Sequence, residues 1–202
     1  MKYRRAGILA FALIIAVVAA FAALASYRAD VPNASADGDV SVSSLSLLVD
    51  ISERRLYVRE NGETVASYPV GVGTKNHPTP RGSFSIRHII WNPRWVPPNE
   101  KWARDKKPRG PGDPLNPMGR VKIFFDEPDY YIHGTNEPGT VGRAVSHGCI
   151  RMRNDDVIAV AKRVMKAGGA HRPASWFRRV LNRVRSTQEV YTDRAVTLRV
   201  RS

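Results

Sequence analysis

Cysteine is nearly absent from this sequence, since Cys149 is the only one in 202 residues. An intramolecular disulfide is therefore excluded, and the thiol can remain free even in an oxidising compartment. The sequence also lacks internal repeats and a second motif-bearing segment, so its length fits one domain of ordinary size with tails. A hydrophobic share of 43% is enough for a real core.

Acidic residues are scarce relative to basic ones: 18 Asp and Glu stand against 32 Lys and Arg, which gives a formal net charge of +14. That balance would suit a nucleic-acid-binding protein. The N-terminus argues against this class, because Lys2, Arg4 and Arg5 precede an uncharged run over residues 6–27 that contains Ala23-Leu-Ala25. A basic flank, an apolar segment and an A-x-A site are typical of a signal peptide.

We therefore predict an export segment over residues 1–25. It is either a cleaved signal peptide or an uncleaved membrane anchor, since the apolar run is also long enough to span a bilayer. In both cases the basic flank stays inside, and the rest of the chain lies outside the inner membrane, in the periplasm or facing the cell wall. No nucleic acid is expected as a partner there. Residues 26–43 are small, polar and turn-rich, and are predicted to form a linker.

Short strands with few helices predict a mainly β fold, an antiparallel-rich β-sandwich over residues 44–166. Alternating or apolar segments predict strands at 45–51, 55–59, 64–70, 83–90, 121–125 and 130–134. Asn61-Gly62 predicts a hairpin turn between the second and third of these strands. One helix is predicted to begin with Asn154 as its cap and to end at Gly168-Gly169.

A C-terminal extension is predicted over residues 167–202, with an amphipathic helix from Pro173 and a last strand at 195–200. Arginines line the exposed side of that helix: Arg172, Arg178, Arg179, Arg183 and Arg185. Two interpretations remain open for these arginines, a solvated basic face and a surface that meets an anionic wall polymer or membrane.

A long segment over residues 91–118 is rich in proline, glycine and tryptophan. Loops of this length in compact domains are usually functional or disordered. Three tryptophans, Trp91, Trp95 and Trp102, favour partial order. The segment is predicted either to face a substrate groove or to be a surface loop held to the sandwich by its tryptophans.

The residues that could carry chemistry lie in two motifs, Tyr131-Ile-His-Gly-Thr135 and Ser146-His-Gly-Cys-Ile-Arg-Met152. A histidine on either side of Cys149 could help to convert its thiol into a nucleophilic thiolate. The spacing leaves two other interpretations open, a buried structural cysteine and a zinc site. The zinc alternative is weakened because one residue separates His147 from Cys149 and no carboxylate or further cysteine lies nearby to complete the ligand shell.

Six segments together resemble the L,D-transpeptidase catalytic domain family of the YkuD type, bacterial cysteine enzymes that cross-link peptidoglycan. In the family's order they are Leu45-Ser-Leu-Leu-Val-Asp50, Tyr68-Pro-Val-Gly-Val-Gly73, Thr79-Pro-Arg-Gly-Ser-Phe84, Asn116-Pro-Met-Gly119, Tyr131-Ile-His-Gly-Thr-Asn136 and Ser146-His-Gly-Cys149. The resemblance covers about residues 44–165. It implies a β-sandwich catalytic domain, in agreement with the strand pattern.

The resemblance also implies a catalytic pair. Cys149 would attack a carbonyl of the peptidoglycan stem peptide and form a thioester acyl-enzyme. His133 would be the base, oriented by the backbone carbonyl of Gly134 in place of an Asp side chain.

The same resemblance implies roles for three further residues of the Cys149 loop and for the arginine beyond it. The backbone N–H groups of Gly148 and Cys149, and that of His147, would stabilise the oxyanion. Ser146 would shape the loop by hydrogen bonding. Arg151 would bind a substrate carboxylate, which its planar guanidinium can grip with two hydrogen bonds.

The implied reaction joins a tetrapeptide stem donor to an amine. D-Alanine leaves, and the side-chain amine of a second diaminopimelate captures the acyl group to make a 3→3 cross-link. Since the thioester carries the free energy, neither a metal nor a cofactor is expected. The same fold with water as acceptor would be an L,D-carboxypeptidase, and with a protein lysine it would attach a lipoprotein to the wall. A non-enzymatic cell-wall-binding module would explain the charge and the export but would need no thiol.

Overall fold

The structure is a computed structural model that describes residues 44–202. Ten strands and two α-helices lie within these residues. The strands are β1 (Leu45–Asp50), β2 (Arg55–Glu60), β3 (Glu63–Pro69), β4 (Val72–Gly73), β5 (Gly82–Trp91), β6 (Val121–Asp126), β7 (Tyr130–His133), β8 (Ala144–Ser146), β9 (Ile150–Arg151) and β10 (Gln188–Arg201). The helices are α1 (Asn154–Ala167) and α2 (Ala174–Asn182). The predicted mainly β fold with a few short helices is confirmed.

The predicted export segment and linker, residues 1–43, lie outside the described residues. Within residues 44–202, no helix combines the length and the apolar character that crossing a bilayer requires.

Eight of the strands form one mixed sheet in the order β3-β2-β1-β10-β5-β6-β7-β9, and β4 and β8 form a separate pair. Asn61 and Gly62 both have positive φ angles, 53° and 87°. Two consecutive positive φ angles are the requirement of a tight hairpin turn that matches the twist of the strands. The hairpin predicted from Asn61-Gly62 is therefore present between β2 and β3.

The last strand of the sequence lies in the middle of the sheet. β10 pairs in parallel with β1 and antiparallel with β5. It extends over 14 residues, well beyond the predicted 195–200. The prediction was too short because a register irregularity between Tyr191 and Val196 interrupts the alternation of side chains. Residues 167–202, which were predicted to form a C-terminal extension, thus supply a central strand of the same sheet.

Helix α1 covers the sheet with one apolar face. Val157, Val160, Ala161, Val164 and Met165 are fully buried, and the helix contacts β6, β10, β1 and β7. Burying a valine or methionine side chain of this kind stabilises the fold by about 1.5–3 kcal/mol. The helix therefore fixes the sheet directly behind the strands that carry the two motifs.

Asn154 does not cap α1, so that prediction is wrong. Arg153 occupies the cap position, without a side-chain hydrogen bond to the helix, and Asn154 is the first helical residue. The Asn154 amide instead accepts a hydrogen bond from the Arg120 backbone N–H at 2.9 Å and donates one to the Thr135 carbonyl at 3.1 Å. Asn154 thereby ties the start of β6 to the loop that follows β7.

Candidate active site

Two parallel strands bring the residues of the two motifs together. β7 and β9 pair with Ile132 opposite Ile150 and with His133 opposite Arg151. Both isoleucines are fully buried in the core. Because side chains alternate along a strand, His133 and Arg151 face the other side of the sheet. Cys149 immediately precedes β9 and so enters the same region.

These residues line a cavity of about 1270 Å³. Cys149, His133, His147, Ser146 and Arg151 all contribute to its wall. Gly134 and Gly148 adjoin them in the sequence but are not among the residues that line the cavity. The segment 91–118 forms much of the remaining wall, through Trp95, Trp102, Lys106 and Met118 among others. Of the two interpretations offered for this segment, the geometry favours the substrate-facing one.

His133 is buried and neutral. Its Nδ1 lies 2.5 Å from the Gly134 carbonyl oxygen. A carbonyl can only accept, so Nδ1 carries the proton and Nε2 is the basic nitrogen. Burial, reinforced by the charge of Arg151, lowers the pKa of His133 to about 3. The imidazole is therefore neutral at neutral pH, with Nε2 unprotonated.

Cys149 is half-buried, and its thiol donates a weak hydrogen bond to the Asp129 carbonyl at 3.5 Å. Burial raises the pKa of the thiol above its ordinary value. The hydroxyl and backbone N–H of Tyr131 oppose that rise by hydrogen bonding to the sulfur. The positive charges of Lys122 and Arg151 oppose it as well. The resting pair is thus a protonated thiol and a neutral imidazole.

The pH dependence of thiol reactivity tests this protonation state. Since the pKa of Cys149 is raised from an ordinary value of 9.0, the thiolate fraction should still be increasing at that pH, by tenfold per unit below the pKa. The alkylation rate with iodoacetamide, measured from pH 6 to 10, is expected to rise throughout this range. A plateau reached below pH 8 would show instead a preformed thiolate.

The loop that carries Cys149 is shaped by Ser146. The Ser146 hydroxyl donates to the Cys149 carbonyl at 2.6 Å and accepts from the Gly148 N–H at 3.2 Å. Gly148 has a φ of +105°, and a Cβ there would lie 2.6 Å from a ring carbon of Tyr130. Only glycine fits this position without displacing the neighbouring ring.

The same hydrogen bonds distinguish Gly148 from Cys149, two of the three backbone donors predicted for an oxyanion. The Gly148 N–H is already paired with Ser146. The Cys149 N–H has no acceptor among residues 44–202. Of the two, the Cys149 N–H is the donor available to a reacting carbonyl.

The His147 ring packs against two other aromatic rings. The Trp102 ring lies parallel to it at 4.1 Å between centroids, and His77 lies 4.6 Å away on a tilted plane. Burial, followed by the nearby His77, lowers the pKa of His147. No function was assigned from the sequence to His77, which lies two residues before the Thr79-Pro-Arg-Gly turn. Trp102 was singled out only as part of the long segment.

Arg151 lines the cavity and keeps one buried donor without a partner among the described residues. Its guanidinium lies 3.5 Å from the Glu137 carboxylate through Nη1, a loose pair with a largely exposed partner. Its Nε is buried and has no hydrogen-bond partner among the described residues. A buried N–H of this kind suits an incoming carboxylate or carbonyl oxygen, which would satisfy it.

Within residues 44–202, no group of three or more His, Cys, Asp or Glu side chains is arranged to hold a metal ion.

Comparison with known proteins identifies a family and related sequences. The family model described as the L,D-transpeptidase catalytic domain, YkuD, matches residues 45–181. "Probable L,D-transpeptidase ErfK/SrfK" of Escherichia coli is 37% identical over 121 residues, which are 55% of this chain and 38% of that protein. "Putative L,D-transpeptidase YkuD" of Bacillus licheniformis is 36% identical over 115 residues, 57% of each chain. The chain therefore spans less than two thirds of the length of these relatives.

Among solved structures, an L,D-transpeptidase from Mycobacterium smegmatis superposes with a TM-score of 0.50 and 18% identity. The match covers 79% of this chain and 59% of that one. At this identity the likeness concerns the fold.

Proposed function

The chain belongs to the L,D-transpeptidase catalytic domain family, and from that premise we propose that it forms 3→3 cross-links between peptidoglycan stem peptides through a cysteine thioester. The observation that carries the proposal is the meeting of Cys149, His133 and Arg151 in one cavity. A thiol, a neutral base and a free guanidinium donor are the groups that acyl transfer from a carboxylate-bearing peptide requires.

In the first half-reaction, His133 Nε2 takes the proton of Cys149 as the sulfur attacks the carbonyl carbon of the third residue of the donor stem. Because the resting thiol is protonated, this proton transfer accompanies the attack. The Cys149 N–H stabilises the oxyanion. The proton then passes from His133 to the departing D-alanine nitrogen, the C–N bond breaks, and the thioester remains.

In the second half-reaction, the side-chain amine of an acceptor diaminopimelate attacks the thioester carbonyl. His133 takes a proton from that amine and returns it to the sulfur as the C–S bond breaks. Arg151 holds a donor carboxylate during both steps, exchanging its loose contact with Glu137 for a tighter one. No cofactor takes part in this scheme.

The proposal extends to where the domain works. Residues 1–25 are proposed to direct export or to anchor the chain, with 26–43 as a spacer. The domain would then meet its stem-peptide substrates outside the inner membrane.

A purified tetrapeptide muropeptide tests the function directly. Incubated with the protein, it is expected to release D-alanine and to yield a 3→3 linked dimer, identified by mass spectrometry. Release of D-alanine with tripeptide as the only product would show a carboxypeptidase, and transfer only to a lipoprotein lysine would show wall attachment. Binding to peptidoglycan without any bond cleavage would show the non-enzymatic module.

A further inference from the structure

A lysine that sequence reasoning did not single out lies in the cavity beside the nucleophile. Lys122, on β6, pairs directly with His133 on β7 and lines the same cavity as Cys149. Its ammonium lies over two aromatic rings, 3.9 Å from the centroid of Tyr131 and 4.5 Å from that of Phe124. Among the described residues it has no carboxylate within 4.0 Å.

This environment is costly for a positive charge. Burial lowers the pKa of Lys122. The two rings hold the ammonium in place by cation–π attraction, but they do not neutralise it. A partly buried charge without an ionic partner is usually kept for a functional counter-charge. The charge of Cys149 raises the pKa of Lys122, as does that of Glu127, but no carboxylate of the described residues lies within ion-pair distance. The closer counter-charges left to consider are the sulfur of Cys149 and an anionic group of the substrate.

We propose that Lys122 is a positioning residue whose ammonium, together with the Tyr131 hydroxyl, stabilises the negative charge that develops on Cys149 during attack. The inference rests on the proposed role of Cys149 as the nucleophile.

Geometry and charge favour the sulfur over a substrate anion as the partner. Lys122 lines the same cavity as Cys149, and its ammonium lies over the ring of Tyr131. The thiolate form of Cys149 raises the pKa of Lys122, and both Tyr131 and Lys122 lower the pKa of Cys149.

The other cationic groups are less suited to this role. His133 is neutral at physiological pH because of its burial, so it adds no positive charge before the proton moves. Arg151 already faces Glu137 and is assigned to the substrate. Lys122 and Arg151 both lower the pKa of Cys149, and of the two only Lys122 has no carboxylate of the described residues within ion-pair distance.

The test is the pH profile of Cys149 alkylation by iodoacetamide, which needs no peptidoglycan. Lys122→Met keeps much of the apolar stem and removes the charge, whereas Lys122→Arg keeps the charge. Lys122→Met is expected to shift the midpoint upward by about one pH unit, which is about tenfold slower alkylation at pH 8. The rate should still rise tenfold per pH unit below the midpoint, and Lys122→Arg should restore most of the loss. Tyr131→Phe should give a smaller upward shift.

Lys162→Met is the matched control. Lys162 also lies over an aromatic ring, Phe177 at 5.1 Å, but it belongs to α1 and does not line the cavity. The Cys149 alkylation profile of the Lys162→Met variant should equal that of the wild type. If Lys122→Met does not fold, as judged by thermal melting, Lys122→Gln replaces it and the same shift is expected.

An unchanged profile in Lys122→Met, with a raised KM for the donor muropeptide, would overturn the inference and assign Lys122 to the substrate. The proposed function fails separately. If the lysine variant moves the profile while the wild type makes no cross-link, the role of Lys122 stands and the cross-linking proposal is rejected.

Discussion

Replacing Cys149 with alanine is expected to lower transpeptidation by about 10³-fold or more, the usual consequence of removing a covalent nucleophile. The side chain is small and half-buried at the edge of a loop, so the fold should be retained. Product formation from a tetrapeptide muropeptide measures the effect, and thermal melting confirms that the variant is folded. Activity within about tenfold of the wild type would reject the thiol mechanism.

Ser146 is the serine closest to Cys149 in the sequence, and its hydrogen bonds argue that its hydroxyl does not substitute for the thiol. It donates to the Cys149 carbonyl and accepts from the Gly148 N–H, so its lone pairs and proton are already committed. Ser146→Ala is the matched control for Cys149→Ala. It should disturb the loop and reduce activity by a smaller factor, and it should leave the thiol open to alkylation.

Replacing His133 with alanine is expected to lower turnover by roughly 10²–10⁴-fold, the range that general acid–base catalysis contributes. The pKa of about 3 makes His133 a neutral proton acceptor at every pH from 5 to 9. Its removal should therefore not change the charge near Cys149. The alkylation profile of the variant should stay close to that of the wild type, while turnover of the muropeptide collapses.

His147→Ala provides the comparison for the base assignment. The His147 ring is stacked under Trp102, and no carbonyl orients one of its nitrogens among the described contacts. The loss of His147 is expected to reduce activity less than the loss of His133, because it alters only the wall of the cavity. A larger fall in turnover for His147→Ala than for His133→Ala would reverse the assignment.

The strands were predictable because their local signals are strong. Alternation of apolar residues located β1, β2, β3, β5, β6 and β7 to within about one residue, and Asn61-Gly62 located their hairpin. The short strands β4, β8 and β9 have two or three residues and carry no periodic signal, so they were missed. The pairing of β10 between β1 and β5 depends on contacts between residues far apart in the sequence, which no local pattern encodes.

The site was predictable as far as its motifs extend along the chain. Cys149, His133 and Arg151 belong to two short segments that the family resemblance identifies, and the structure brings those segments to one cavity. Lys122, His77 and Trp102 reach the cavity from other segments, so only the folded chain shows them there. One signal was available for Lys122: it interrupts an otherwise apolar strand, Val121 to Phe125.

The central place of β10 has a consequence for the biosynthesis of the protein. Until residues 188–201 have left the ribosome, β1 and β5 have no partner between them, and the sheet stays divided into two halves. Pairing across about 150 residues of sequence also makes folding slow, because a long loop must close first. The sheet of this domain can therefore close only after β10 has been synthesised, and until then chaperones and proteases can reach the unpaired edges of β1 and β5.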